Sequence, residues 1–303
     1  MVIETKTVEG SDKLLVIINP IAGGGQKPYI KENIEKFLDK KRFEYNIIAT
    51  SYPGHGYEFA VDAVRKNYDM VVAVGGDGLI NEVARALVNS NTTMGIIPNG
   101  SGNGLARHLQ IPLKPIKAVK MLNHYKTILM DTFIINDERL FCNMAGTGFD
   151  AIVAQKFAGS NKRGFITYLK IILKEFIKFR PRNYHLIVDD KEFFAEAAMI
   201  SFANSSQFGN NAIIAPMASV KDGKLDICIM KKFRWYQAPY IGLMLLTGRL
   251  DKTNFIIYQQ AADVKIKVPE GEPCHLDGDP FDLGSHLHIK LNKASLKVAV
   301  PRD

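Results

Sequence analysis

The sequence predicts two domains: an N-terminal α/β domain with a parallel sheet covered by helices on both faces, then a mostly antiparallel β domain. Three observations predict this. The 303 residues exceed what one hydrophobic core usually organises. The first third alternates short apolar runs with amphipathic stretches, the pattern of strands joined by crossover helices. Beyond Lys126 strand-like runs dominate, separated by turn residues. The boundary is placed near residue 127, giving domains at 1–127 and 128–303.

The elements follow in order. Leu14–Ile18 is an apolar run of buried-strand length, followed by glycines and an amphipathic stretch over Tyr29–Leu38. Tyr45–Ala49 reads as a second strand and Tyr57–Val64 as a helix. Met70–Val74 is a third strand, followed at once by glycines and the helical pattern Leu79–Val88. Met94–Ile97 is the fourth strand. In the second domain the predicted strands are Ile128–Ile135, Arg139–Met144, Tyr184–Val188, Ala195–Ala203, Leu225–Met230, Val264–Val268, His286–Leu291 and Ser295–Val300. Turns are expected at Asp189-Asp190 and Asp222-Gly223. Two helices interrupt the strands, at roughly Gly164–Phe179 and Trp235–Leu246.

Composition narrows the function classes. The net charge of +8 favours an anionic partner. The positive charge is dispersed and no aromatic stacking platform is evident, so nucleic acid is not the expected partner. Cys142, Cys228 and Cys274 are far apart and in no ligand-like spacing, which argues against a disulfide framework or zinc site and fits a reducing cytoplasm. The N-terminus carries no signal-peptide core, and no run approaches the ~20 apolar residues that span a bilayer. Any membrane contact is expected to be peripheral.

Three glycine-rich loops follow predicted strands: Asn19-Pro20-Ile21-Ala22-Gly23-Gly24-Gly25, Gly75-Gly76-Asp77-Gly78-Leu79-Ile80-Asn81-Glu82, and Pro98-Asn99-Gly100-Ser101-Gly102-Asn103-Gly104. A parallel sheet would bring all three to one edge, beyond the carboxyl ends of its strands, where such sheets bind ligands. Glycines there permit positive φ or close approach of a phosphate to main-chain amides, and a helix N-terminus adds partial positive charge. Asp77 is placed to ligate magnesium or accept a proton; a helix-capping Asp is the plainer reading. Ser101 can donate to a phosphate oxygen. No G-x-x-x-x-G-K-[ST] motif exists, so this is not a P-loop protein. Gly146-Thr147-Gly148-Phe149-Asp150-Ala151 matches a dinucleotide-binding pattern, but it lies among strands with no βαβ unit around it.

The second domain carries two acidic turns, Asp222-Gly223-Lys224-Leu225-Asp226 and His275-Leu276-Asp277-Gly278-Asp279-Pro280. Each reads as a hairpin turn or as a source of a catalytic carboxylate, since phosphorylating a hydroxyl needs a group to take its proton. The segment from Phe165 to Phe179 combines an apolar face (Phe165, Ile166, Leu169, Ile172, Leu173, Phe176, Ile177 and Phe179) with Lys162, Arg163, Lys170, Lys174, Lys178, Arg180 and Arg182. That is either a core helix with a solvated basic side or a helix suited to an anionic bilayer. Trp235, Tyr236, Tyr240 and Leu243–Leu246 pose the same choice.

These motifs, in their order and spacing from Leu14 to Val300, resemble the diacylglycerol kinase catalytic family, which includes bacterial lipid kinases and the sphingosine and ceramide kinases. The resemblance is carried by NPIAGGG, Thr50 with Pro53-Gly54-His55, GGDGLINEV, IIPNGSGNGLAR, AGTGFDA, Ala215-Pro216 to Asp226, and HLDGD. It implies an NAD-kinase-like N-terminal domain, a C-terminal β-sandwich, and ATP and magnesium as cofactors. By position it implies nucleotide contacts at Asn19, Thr50, Gly75, Gly76, Asp77, Gly78, Leu79, Ile80, Asn81 and Ser101. It implies a metal position at Asp222 with the main-chain carbonyls of Ser219 and Lys224, and a general base at Asp279 or Asp77. Asp150 and Asp277 are candidate members of a substrate or carboxylate network.

The expected activity is transfer of the ATP γ-phosphoryl group to the hydroxyl of a membrane lipid, diacylglycerol or a related neutral lipid, with a sphingoid base second. An NAD-kinase-like enzyme or a protein that has lost catalysis are the rivals. The expected location is the cytoplasm, with peripheral association at the anionic inner membrane face, and a homodimer is allowed. Three departures stand out: GGDGL in place of GGDGT, Gly104 where the family carries aspartate, and DGD in place of DGE. Ile152 falls where sphingosine kinases carry a headgroup-binding aspartate.

Overall fold

The computed structural model describes residues 11–23, 29–160 and 165–302. Gly24, Gly25, Lys162 and Arg163, and the side chains of Phe165, Ile166, Leu169 and Ile177, lie outside the described residues. The chain divides into two units, Met1–Met130 with Ala294–Asp303, and Asp131–Lys293. Residues 294–303, assigned by sequence to the second domain, thus rejoin the first.

In the first unit β1 (Asp12–Ile18), β2 (Phe43–Ala49), β3 (Met70–Gly75) and β4 (Thr93–Pro98) are parallel, in the order β2-β1-β3-β4. Every residue of β3 and β4 is buried, because helices cover both faces, and their runs MVVAVG and TMGIIP are correspondingly almost free of polar side chains. The connecting helices are α1 (Tyr29–Phe37), α2 (His55–Arg65), α3 (Asp77–Leu87), α4 (Gly104–His108) and α5 (Pro115–Leu122). The α1 helix buries Ile30 and Ile34, one turn apart. The α2 helix buries only Gly56, Ala60 and Ala63, and these small side chains let it lie close against α3. The helices α4 and α5 are not apparent in the sequence reading; Gly104 opens one, and Pro115 at a first-turn position opens the other, where a missing N–H costs nothing.

The strand β5 (Lys126–Ile135) leads into the second unit, whose further elements are β6 (Arg139–Phe141), β7 (Met144–Gly148), α6 (Phe149–Ala158), α7 (Phe165–Lys178), β8 (Arg182–Val188), β9 (Lys191–Ala203), β10 (Leu225–Lys231), α8 (Ala238–Thr247), β11 (Ile256–Ala261), β12 (Asp263–Lys267), β13 (Cys274–Leu276), β14 (Asp279–Phe281) and β15 (His286–Val300). Within this unit the pairs β5–β6, β7–β9, β7–β13, β8–β9, β8–β12, β9–β10, β10–β11, β12–β15 and β13–β14 are antiparallel. The long β9 pairs β8 along its first half and both β7 and β10 along its second. Two cores result. Leu225, Ile227 and Ile229 of β10 enter a core with Phe133, Tyr184, Phe202 and Ile289; the alternate residues Cys228 and Met230 enter another with Met199, Ile214 and Ile241. This is the sandwich-like β domain.

Two strand readings are corrected. The predicted strand Arg139–Met144 is two strands broken at Cys142-Asn143, for a reason given below. The predicted strands His286–Leu291 and Ser295–Val300 are one, β15, bent where Ala294 takes φ 50°. The first part of β15 pairs β12; Val298 lies opposite Met94 of β4.

Candidate active site

In the first unit four loops leave the carboxyl edge of the parallel sheet side by side. Asn19 N–H donates to Val74 O, Thr50 N–H to Ile18 O, and Asn99 N–H to Gly75 O at 2.7 Å. Asn19 Oδ1 accepts the Ile21 N–H at 3.1 Å, turning the chain immediately after β1, and the Asn99 amide reaches Ala22 O at 3.4 Å. The three glycine loops thus meet at one rim, and Thr50 closes it on the β2 side.

Asp77, the first residue of α3, ties two of these loops together. Its Oδ2 accepts the Asn103 N–H and its Oδ1 the Gly104 N–H, both at 2.8 Å. It therefore caps the N-terminus of α4 from another helix, where Asn103 makes no such cap itself. Bonds from N–H groups to a carboxylate contribute about 1.5–3 kcal/mol each. Asn103 secures the same loop locally, accepting from Gly100 N–H at 3.0 Å and donating to Gly100 O at 2.8 Å. A main-chain donor thus meets each of its two oxygens, and the carboxylate spans both loops. Gly104, where the family carries aspartate, takes part through its N–H alone, so its missing side chain leaves this clamp intact.

Gly76 and Gly100 are needed for close approach rather than positive φ. Gly76 has φ −93°, and a Cβ on Gly100 would stand 2.5 Å from Gly76 Cα and 2.9 Å from Asn103 Oδ1. Gly78 differs: it is exposed, and a Cβ there would meet nothing within 4 Å. The helix ladder begins at Ile80 N–H to Gly76 O, so the Gly78 and Leu79 N–H groups lie in the first turn with no acceptor inside the helix. That open space against first-turn amides fits a phosphate. The Leu79 and Ile80 side chains are buried, so these two candidates can offer a ligand only main chain; Asn81 is also buried, while Ser101 is exposed.

Glu82 has a role the sequence reading missed. One carboxylate oxygen accepts the Gly54 N–H at 2.8 Å and the other the Gly56 N–H at 2.9 Å, fixing the Pro53-Gly54-His55 turn beside Thr50.

In the second unit Asp277-Gly278 forms a two-residue hairpin turn with φ 51° and 91°, joining β13 to β14. Asp277 points back and accepts the N–H groups of Cys142, Asn143 and Met144 at 3.0, 2.8 and 2.8 Å. This bend breaks the predicted strand at 142–143 and commits Asp277 to the scaffold. Asp279, the first residue of β14, is exposed.

Asp150 is also internal. Its Oδ2 accepts the Ser201 hydroxyl at 2.9 Å and lies 3.2 Å from His275 Nε2, with all three residues buried. A Cβ on Gly146 would collide with this pair, at 2.7 Å from His275 Nε2, and Gly148 takes φ 93°. The GTGFDA motif is thus explained by packing in an antiparallel sheet, not by a dinucleotide. Nearby, burial pushes the Glu272 carboxyl up despite Arg182 at 3.5 Å.

The 219–224 turn is built by residues distant from it in sequence. Buried Asp131 accepts the Gly223 N–H at 2.8 Å and donates its own N–H to Val220 O at 2.7 Å; Asn204 holds Asp131 O at 2.8 Å. Asp222 is exposed and accepts the Lys224 N–H at 3.0 Å. Among the described residues no cluster of three or more His, Cys, Asp or Glu could hold a metal. One carboxylate beside main-chain carbonyls still fits a hard, partly hydrated cation such as magnesium.

Comparison with known proteins gives the family. Residues 13–134 match the model of the diacylglycerol kinase catalytic domain, and residues 143–290 match that of the YegS C-terminal NAD kinase beta sandwich-like domain. A diacylglycerol kinase of Bacillus subtilis is 28% identical over 92% of this chain and 96% of its own length. The "Probable lipid kinase YegS" of Escherichia fergusonii is 29% identical over 95% and 96%. A crystal structure described as a diacylglycerol kinase from Bacillus anthracis superposes with a TM-score of 0.71 at 18% identity, covering 98% of each chain, a likeness of fold. With both domain models matched in order along the chain, over residues 13–134 and 143–290, the protein belongs to the diacylglycerol kinase catalytic family.

Proposed function

We propose that this chain is an ATP- and magnesium-dependent lipid kinase that phosphorylates the hydroxyl of diacylglycerol or a related neutral lipid at a membrane surface. The observation that carries the reading is the rim in the first unit, where the α3 first-turn amides open onto free space at Gly78 between loops held by Asp77 and Glu82. Main-chain N–H groups and the exposed Ser101 hydroxyl would bind the triphosphate there, with Asn19 and Thr50 at the flanks. Magnesium, when bound, supplies positive charge against the phosphates. The residues suited to hold a cation in the second unit are Asp222 with the carbonyls of Ser219 and Lys224.

Asp279 is the better candidate for the base. It stands at an exposed position at the start of β14, where an acceptor hydroxyl can reach it. Asp77 then acts as a positioning residue that sets the spacing of the phosphate loops. Ile152 on α6 offers no carboxylate to a sphingoid ammonium, which favours a neutral acceptor.

The test is incubation of the purified chain with ATP, magnesium and a panel of lipid alcohols, with the product identified by mass spectrometry. Phosphatidic acid from diacylglycerol is expected, and Asp279→Asn should lower kcat by roughly 10²–10⁴-fold without loss of fold. Absence of any phosphorylated lipid, or transfer to NAD instead, would overturn the proposal.

A further inference from the structure

We propose that the segment Trp235–Thr247, a 3-10 turn followed by α8, is the element that seats this protein on an anionic bilayer. The α8 sequence APYIGLMLLT contains no charge and is apolar on every side. Such a helix is normally buried within a protein. Here only Ile241 is buried, while Tyr240, Leu243 and Leu246 are 49%, 54% and 52% exposed and Trp235, just before the helix, is 76% exposed.

The exposure is not fraying. Gly248 closes the helix with φ 63° and an N–H bond to Leu245 O, Arg249 N–H reaches Met244 O at 2.9 Å, and Ile213 N–H holds Leu245 O at 3.0 Å. Gln237 accepts the Arg234 N–H at 2.7 Å at the other end. Tyr240 packs edge-on against Phe255 beneath. The helix is a rigid ledge with its apolar side turned to solvent.

The flanks select the occupant. Lys231, Lys232 and Arg234 are exposed before the helix, and Arg249 and Lys252 after it; the opposing charges are Asp251 and Glu196, which pairs with Lys232 at 3.8 Å. An excess of basic residues bracketing an apolar helix, with Trp and Tyr at one end, matches the charge and polarity profile of an anionic membrane interface. A second copy seated on the same face would bring like charges together. The choice of a bilayer rests on the lipid-kinase reading, but its test does not need catalysis.

Trp235 is the chain's one tryptophan and reports directly on its surroundings. Full-length protein is titrated with vesicles of phosphatidylcholine, with and without phosphatidylglycerol. Emission should shift to the blue with the anionic vesicles, and salt should weaken the effect. The double variant Leu243→Asp/Leu246→Asp should lose about tenfold or more in vesicle co-sedimentation, given the apolar area withdrawn. It should retain its activity on short-chain diacylglycerol dissolved as monomers; Leu243→Gln/Leu246→Gln gives the same comparison if the Asp variant is unstable.

An unchanged emission at saturating vesicles, or full vesicle binding by the variants, would overturn the proposal. So would a blue shift that grows with protein concentration in the absence of vesicles, the mark of a second copy. Vesicle binding without lipid phosphorylation would instead sink the kinase reading and leave this one standing.

Discussion

Replacing Gly100 by alanine tests the claim that the glycine rim is built on contact between two glycine backbones. The added Cβ would lie 2.5 Å from Gly76 Cα and 2.9 Å from Asn103 Oδ1, against an ordinary carbon–carbon contact of about 3.5–4.0 Å. Relief needs the loops to part by roughly 1 Å, and neither neighbour is the free end of a side chain. Gly76 begins α3, and Asn103 is bonded to Gly100 at both ends. A shift of that size would stretch the two 2.8 Å bonds from Asp77 beyond useful length. Overpacking costs about 1–3 kcal/mol and the weakened bonds add to it, while the stiffer unfolded chain returns ~0.4–1 kcal/mol. A net loss of about 2–3 kcal/mol is expected, read as a lower urea midpoint, together with weaker ATP binding by calorimetry. Gly78→Ala is the control: its Cβ meets nothing, so stability should hold or rise by up to ~1 kcal/mol while ATP affinity falls, because the methyl fills the space assigned to phosphate. A Gly100→Ala protein with unchanged midpoint and unchanged affinity would refute the reasoning.

Asp77→Asn should cost about 2–4 kcal/mol and most of the activity, since one of its two atoms becomes a donor facing a donor; retained stability would remove the clamp. The Glu272 carboxyl is raised by burial, so its folded state holds a proton more tightly than the unfolded chain does. Its contribution to stability is therefore full below the ordinary value of 4.5 and declines as pH rises through the raised value. Glu272→Gln should remove that decline and be at least as stable as the parent at neutral pH; a destabilised variant at neutral pH would contradict this. All three cysteines are buried, and burial pushes the Cys274 thiol up to about 11. A disulfide reagent at mild alkaline pH should label none of them until urea unfolds the chain, and mass spectrometry of the adducts would reveal any exception.

The elements easiest to read from sequence were those whose signal is local. Met70–Val74 is uniformly apolar because helices cover both faces, and Asp277-Gly278 forms the predicted hairpin turn because both residues tolerate positive φ. The misread segments depend on distant partners. The strand from Arg139 breaks at 142–143 because a carboxylate from residue 277 gathers three consecutive N–H groups there. No pattern within residues 139–144 carries that information. Glu82, Asn103 and Asp131 were overlooked as site builders because their partners lie in other loops or are main chain.

By itself the sequence determined the alternation that makes a parallel sheet, and with it the meeting of glycine loops at one rim, since crossover geometry sends every strand-to-helix loop to the same edge. Tertiary structure decided the state of each carboxylate. Asp77, Asp150 and Asp277 look alike in sequence, yet folding gives the first and last main-chain N–H groups from other loops and gives Asp150 the Ser201 hydroxyl and His275. Hydrogen bonds to a buried carboxylate come from wherever the chain passes, and that is a property of the packed molecule rather than of neighbouring residues.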